Sequence, residues 1–378
     1  QILRARFVPY RDGYAQAILK HDDLVWDEVA CEDEDTSRIM QDGFNTWCKD
    51  IHELAGPLWK LQLVKSPRRT ILNLNIFHAL YDGNSLPLLL ERVAKRYTGD
   101  SFDHGGLTFL EILPIGPLRR INAAEKFWTG QLAELTEHNT IFPESDSAGS
   151  EPLLQIDTIN GIKEIEPVKT SLQVTEHSVF HACWLLTLHA HLSVVPALGI
   201  VVSGRALDVP GAEYVIGPLF NTIPSYIRPS SSQTVKDLIR ACHQYHVDTL
   251  PFQHTSLRDI MKWTRRTSDR PLFEILFVYQ KEPATSKPIN DSIWTRIDSV
   301  ADVDYPLSLE VQQNQDSSYA ITLAAQSRAV NAEKLKAMAA TFKDTLAGML
   351  RDLSERLSIP DDPMRRQPHT DVRNYQDS

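Results

Sequence analysis

The segment Ile71-Leu-Asn-Leu-Asn-Ile-Phe77-His78-Ala-Leu-Tyr-Asp82-Gly83-Asn-Ser85 joins a strand, a polar turn and a helix start. Apolar and polar residues alternate up to Phe77, which is the period of a half-buried strand. A helical pattern begins at Ser85, whose hydroxyl suits a cap. His78 therefore falls at a strand end, on the connecting loop, where a rigid scaffold can present a reactive side chain. Asp82 follows four residues later, and Gly83 permits a tight backbone turn. An imidazole suits proton transfer because its ordinary pKa, about 6.5, lies near neutrality. Asp82 can orient that imidazole, or it can pair with an arginine and fix the loop. The same residues also read blandly, as an Asp-Gly turn before a helix with a histidine packed beside it.

Similar elements extend in both directions. Upstream, strands are expected at 5–9, 14–19 and 60–65, with a helix at 36–54. Downstream, helices are expected at 85–97 and 121–136. The polar stretch Phe142-Pro-Glu-Ser-Asp-Ser-Ala-Gly-Ser-Glu-Pro152 marks an internal boundary. Past it, strands are expected at 153–158, 161–166, 198–203, 221–228, 274–280, 306–312 and 319–325. Helices there fall at 176–192, 233–248, 254–262 and 331–353. Strands and helices alternate irregularly, which indicates an α+β or mixed α/β protein with mixed sheets. The expected division is a lobe over 1–145, a second over 146–358 and a polar tail over 359–378. The chain opens directly on a strand-like pattern without methionine, so a piece of a longer polypeptide lacking its first elements is expected.

Composition narrows the function classes. The 378 residues carry a net charge of −10, which provides no basic footprint for nucleic acid. Arg265, Arg266 and Arg270 could supply a local basic patch for an acidic partner protein, but they read as a solvated loop. Cys31, Cys48, Cys183 and Cys242 include no Cys-x-x-Cys pair, so neither a disulfide framework nor a zinc site is expected. His181, His189 and His191 share one apolar helix and read as packing rather than metal ligands. Glu32-Asp-Glu-Asp35 reads as a solvated acidic turn. No glycine-rich phosphate loop and no membrane-spanning run is visible, so a cytoplasmic protein is expected.

Several segments together resemble the condensation domains of nonribosomal peptide synthetases. His78-Ala-Leu-Tyr-Asp82-Gly83-Asn-Ser85 is similar to their His-His-x-x-x-Asp-Gly-x-Ser signature. Ile2-Leu-Arg4-Ala-Arg6-Phe7 resembles the Leu-Arg-Thr-x-Phe segment, and Trp128 the tryptophan of the helix leaving the first lobe. Val202-Ser-Gly-Arg205, Ile216-Gly-Pro-Leu-Phe-Asn221-Thr222, Asp248-Thr-Leu-Pro251-Phe252 and Ser268-Asp-Arg-Pro271-Leu272-Phe273 resemble later motifs, in the family's order. The wording of Phe220-Asn-Thr-Ile-Pro224 and Leu276-Phe-Val-Tyr-Gln280 is similar to the fungal branch, with hydroxamate siderophore synthetases nearest. Two departures stand out. Phe77 occupies the place of the first histidine, and Asp269 replaces the arginine of the Ser-Arg-x-Pro-Leu motif.

The resemblance implies two lobes like chloramphenicol acetyltransferase, set in a V around a tunnel. It implies an amide bond formed between a donor acyl or peptidyl thioester and an acceptor aminoacyl amine. Both ride on phosphopantetheine arms of carrier proteins, with an adenylation domain as neighbour. No metal and no directly bound cofactor are implied, and neither nucleic acid nor membrane is a partner. His78 is implied as the base and Gly83 as an oxyanion donor. Asp82 is implied to be a structural charge pair, with Arg4 its first expected partner, Arg205 the second and Arg270 the third. Asn221 and Ser268 are implied to bind substrate. A terminal domain that cyclises or releases the peptide would use the same loop, and a degenerate domain would only recruit carriers. A coenzyme A acyltransferase of the plant type would also need an Asp-Phe-Gly-Trp-Gly segment, which this chain lacks.

Overall fold

The computed structural model describes residues 1–11, 13–22, 26–51, 54–99, 106–135, 141–142, 152–159, 162–192, 194–264, 271–281 and 305–359. They form two compact units that are not consecutive stretches of chain. The first holds 1–119 and takes back Ser203–Phe220, while the second holds the rest of the described residues. The polar stretch near 145 is therefore not where the units part. The boundary falls at Arg119, before the helix that carries Trp128.

In the first unit, β1 (Ala5–Tyr10) and β2 (Gly13–Ile18) pair as an antiparallel hairpin. A three-stranded sheet follows, of β3 (Trp26–Ala30), β4 (Trp59–Lys65) and β5 (Thr70–Ile76). β3 and β4 are parallel, which requires a crossover, and α1 (Thr36–Asp50) supplies it. β4 and β5 are antiparallel neighbours. α2 (Ser85–Thr98) and the single turn α3 (Phe109–Ile112) complete the unit. β3 was not foreseen. None of its five residues is fully buried, so it lacks an apolar stripe; it is held by its pairing with β4, beside which Asp27–Lys60 and Glu28–Lys65 form partly exposed ion pairs.

The core of this unit gathers Ile2, Ala5, Leu58, Leu80, Phe109 and Ile112 with Ala212, Val215 and Leu219 of the returning segment. Gly217 makes that return possible. Its φ is 151°, and a Cβ there would lie 2.3 Å from Cδ2 of Phe109. Gly217→Ala should therefore lower stability by about 1–2 kcal/mol, through strain and overpacking, as a lower melting temperature will report.

In the second unit, helices α4 (Ala124–Gln131), α5 (Ile165–Leu172), α6 (Glu176–His191), α7 (Val235–Thr249), α8 (Leu257–Trp263) and α9 (Ala332–Arg351) accompany one six-stranded sheet. Its strands are β6 (Pro152–Ile159), β7 (Leu198–Val202), β8 (Asn221–Ser225), β9 (Ile275–Lys281), β10 (Leu307–Gln313) and β11 (Tyr319–Gln326), in the order β6-β11-β10-β9-β7-β8. β9 runs parallel to β10 and to β7, and the other pairs are antiparallel, so the sheet is mixed as expected. α6 is apolar nearly all round because α7 and α9 pack on either side of it. The strand expected at 161–166 is instead the approach to α5. Ile165 and Val168 are both buried, and their spacing of three makes one helix face.

Two sequence motifs acquire structural reasons here. Phe273 of the Pro-Leu-Phe motif lies over Gly199, where a Cβ would come within 2.2 Å of its ring. Trp128 is fully buried in the core of this unit.

Candidate active site

β5 ends at Ile76, and Phe77 begins a tight turn rather than a longer loop. Phe77 packs partly buried against the apolar cluster of the first unit, so an apolar side chain suits this position. Residues His78–Leu80 form one 3₁₀ turn, with the amide of Leu80 donating to Phe77 O at 2.9 Å and that of Tyr81 to His78 O at 3.3 Å. Tyr81 follows the turn in an extended conformation, with its amide returned to His78 O. The imidazole of His78 stacks on the ring of Tyr81, with centroids 4.6 Å apart and planes 7° from parallel. Phe220 supplies a further aromatic contact at 5.2 Å, tilted 43°.

His78 is exposed, and its Nδ1 lies 3.2 Å from the carbonyl oxygen of Tyr81. A carbonyl can only accept, so the proton of the neutral ring belongs on Nδ1. Nε2 is then the nitrogen with a lone pair to offer.

Asp82 faces the other way. It is 2% exposed, and its carboxylate is satisfied wholly by structure. Oδ1 accepts from the amides of Asn84 at 3.1 Å and Ser85 at 2.7 Å. Oδ2 accepts from the Leu219 amide at 3.0 Å, and Nη2 of Arg205 stands 2.8 Å from both oxygens. The cap of α2 is thus Asp82, and Ser85 plays the reciprocal part by accepting from the Asp82 amide at 2.8 Å. The expectation that Ser85 itself caps the helix is reversed by this geometry.

Arg205, not Arg4, is the partner of Asp82, and its side chain is 7% exposed. Besides Asp82, its guanidinium donates to the carbonyls of Ala212, Glu213, Val215 and Gly217, between 3.0 and 3.3 Å. A planar fork with five donors suits this task, and a lysine would not reach it. Arg4 donates instead to the exposed carbonyl of Lys20, beyond the hairpin. Its neighbour Arg6 is paired with Asp22 at 2.7 Å.

The remaining expected residues divide. Gly83 sits exposed on the turn, and its φ is not left-handed, so the turn does not require glycine conformationally. Asn221 has its amide nitrogen committed to the protein. It donates to the carbonyls of Gln253 at 2.9 Å and Thr255 at 2.8 Å, tying β8 to the turn after Pro251 and Phe252. Ser268, with Arg265, Arg266 and Arg270, lies outside the described residues. Sequence reasoning missed Tyr81, Phe220 and the Leu219 amide. The spacing His78-x-x-Tyr81 carried the first of these, had a 3₁₀ turn been foreseen.

Elsewhere, His181 is fully buried, and its Nδ1 lies 3.3 Å from Nε2 of His246. Among the described residues no group of three metal-ligating side chains is placed to hold an ion, and no helix is long and apolar enough to cross a membrane.

Known proteins match this chain along nearly all its length. The family model described as the condensation domain matches residues 1–363. The nonribosomal peptide synthetase sidC of Arthroderma benhamiae is 39% identical over 95% of this chain, and the siderophore peptide synthetase fer3 of Mycosarcoma maydis is 29% identical over 69% of it. The chain spans only 7% and 6% of those relatives' lengths. The condensation domain of the Monacolin K polyketide synthase MokA shares the fold, with a TM-score of 0.73 and 14% identity, over 94% of this chain and 87% of that one. The two units are therefore the mixed-sheet, chloramphenicol-acetyltransferase-like fold of these domains, and the chain belongs to the condensation-domain family of nonribosomal peptide synthetases, among fungal relatives that include siderophore synthetases.

Proposed function

We propose that this domain forms an amide bond between two carrier-bound substrates, with His78 as the base. The observation that carries the reading is the His78 ring itself. It is exposed, and Nδ1–H is committed to the Tyr81 carbonyl, which leaves Nε2 to accept a proton. The acceptor's α-amine attacks the carbonyl carbon of the donor thioester. The new C–N bond forms as the C–S bond breaks. The amine proton passes to Nε2 and from there to the departing thiolate, so the reaction needs no other reagent. The Gly83 amide, on the exposed turn, is the donor we assign to the developing oxyanion.

Carrier proteins bring both substrates on phosphopantetheine arms, and an adenylation domain of the same synthetase charges the acceptor carrier. Family membership and the fungal synthetase relatives support these partners. Asp82 is assigned a structural role, because every acceptor direction of its carboxylate already points at the protein.

The test is an intact-mass assay with loaded donor and acceptor carriers. Wild-type protein should move the acyl group onto the acceptor amine. His78→Ala should be slower by about a hundredfold, the low end for a base, since tethering two reactants supplies much of the rate. Transfer at the wild-type rate by His78→Ala would remove the base role.

A further inference from the structure

The hydrogen bond from Nδ1 to the Tyr81 carbonyl fixes one atom of the His78 ring, not its plane. About that single contact the imidazole can still pivot, and Nε2, across the ring, would swing with it. Two aromatic rings remove this freedom. Tyr81 lies parallel to the imidazole at 4.6 Å, and Phe220 meets it at 5.2 Å. Both aromatic residues are only partly buried, and burial raises the Tyr81 phenol above its usual pKa, so it stays neutral.

The backbone supports this arrangement from both ends. Asp82 directly follows Tyr81, and its carboxylate takes the amide of Leu219, which directly precedes Phe220. The Asp82–Arg205 pair is therefore placed so that it sets the register of the two rings against His78. The 3₁₀ turn explains why the ring at position 81 counts. It is the residue three after His78, whose amide closes the turn onto the His78 carbonyl.

We infer that Tyr81 and Phe220 are positioning residues, whose ring faces hold the imidazole plane of His78 and so aim Nε2. The kinetic part of this inference rests on the base role given to His78 above. The physical part, a ring held by stacking, stands without it. Displacing a reacting atom by about 1 Å can cost a hundredfold, so partial loosening should cost about tenfold.

The experiment compares Tyr81→Leu, Tyr81→Phe and Phe220→Leu with wild type. Ring-proton resonances of His78 are followed on histidine-labelled protein and assigned with His78→Gln. In Tyr81→Leu the His78 ring protons should move downfield, because the stacked phenol no longer shields them, while Tyr81→Phe should leave them in place. Phe220→Leu should give a smaller shift. In the carrier assay, Tyr81→Leu should lower kcat about tenfold with KM little changed, and Tyr81→Phe should restore kcat.

Unmoved His78 resonances in Tyr81→Leu would overturn the inference. So would equal losses of kcat in the Leu and Phe variants, which would assign the effect to the phenol hydroxyl. A shift of the resonances with wild-type kcat would show that the stack exists but does not aim the base. If wild type itself fails to transfer, the proposed function falls, and the resonances alone decide whether the rings hold His78.

Discussion

Lowering the pH from 7 to 5 is expected to cost the second unit about 2 kcal/mol of stability through His177 alone. The residue keeps some exposed surface, but its Nε2 is sealed from solvent without a partner, and burial followed by the nearby His181 pushes its pKa down to about 3. The ring stacks on His246 at 3.9 Å and on Tyr279 at 5.4 Å. His181 and His246 are also held well below the usual histidine range, first by burial and then by each other's neighbourhood of histidines. Around them stand His243, which bonds Ser178 at 3.3 Å, and Glu176, whose carboxylate is taken by Tyr279 and Lys169 at 2.6 Å each. Among the described residues, no carboxylate is bonded to these imidazoles in a way that would favour their charged forms.

The direction follows from proton binding. Below about pH 6.5 the unfolded chain protonates these histidines while the folded one keeps them neutral. The stability is whole above pH 6.5 and is lost as pH falls from there toward 3. His181 and His246 add losses of the same sign. Urea midpoints measured between pH 7 and pH 5 should fall steeply, and His177→Phe should flatten that slope. Hydrogen exchange should show the acid opening first in α6 and α7, where the cluster sits. A slope unchanged by His177→Phe would mean that this ring is protonated in the folded state too.

Much of this molecule was legible because local periodicity and packing agree in it. The strand 71–76 alternates, ends where the pattern breaks, and delivers His78 to a turn as expected. α6 reads as buried since it is apolar without a polar face, and it is buried. What local patterns do not encode are contacts between segments far apart in the chain. Arg205 reaches Asp82 across 123 residues, and Leu219 across 137. Arg4 was the natural guess by proximity of its strand-like segment, yet its side chain takes the Lys20 carbonyl. The same limit applies to Asn221, whose two acceptors lie over 30 residues on. Short-range geometry could also mislead. Ile162, Ile165 and Val168 recur every three residues, a helical spacing that the strand expected at 161–166 did not take into account, and β3 is a strand without a buried apolar stripe, held by its parallel pairing with β4.

Asp82→Ala is expected to cost about 3–5 kcal/mol and to yield protein that melts early or fails to accumulate. Three losses combine. Arg205 is left as a buried cation facing four carbonyls and no anion. The start of α2 loses its cap at the Asn84 and Ser85 amides. The Leu219 amide, 3.0 Å from the carboxylate, is orphaned as well. Asp82→Asn is the milder test, since its carbonyl oxygen still caps the helix while the charge is gone. It should fall between wild type and alanine. Arg205→Met should be about as harmful as Asp82→Ala, because the carboxylate is then the unpaired charge. The double variant Asp82→Asn with Arg205→Met should lose less than the sum of its parts, the sign of a direct coupling. Arg4→Ala should change stability by under about 1 kcal/mol, because it breaks only an exposed bond to a backbone carbonyl. Melting curves for the five proteins decide the matter. An Asp82→Ala protein with wild-type melting and lost turnover would show that this carboxylate serves His78 directly, and a larger loss in Arg4→Ala than in Arg205→Met would return the pairing to Arg4.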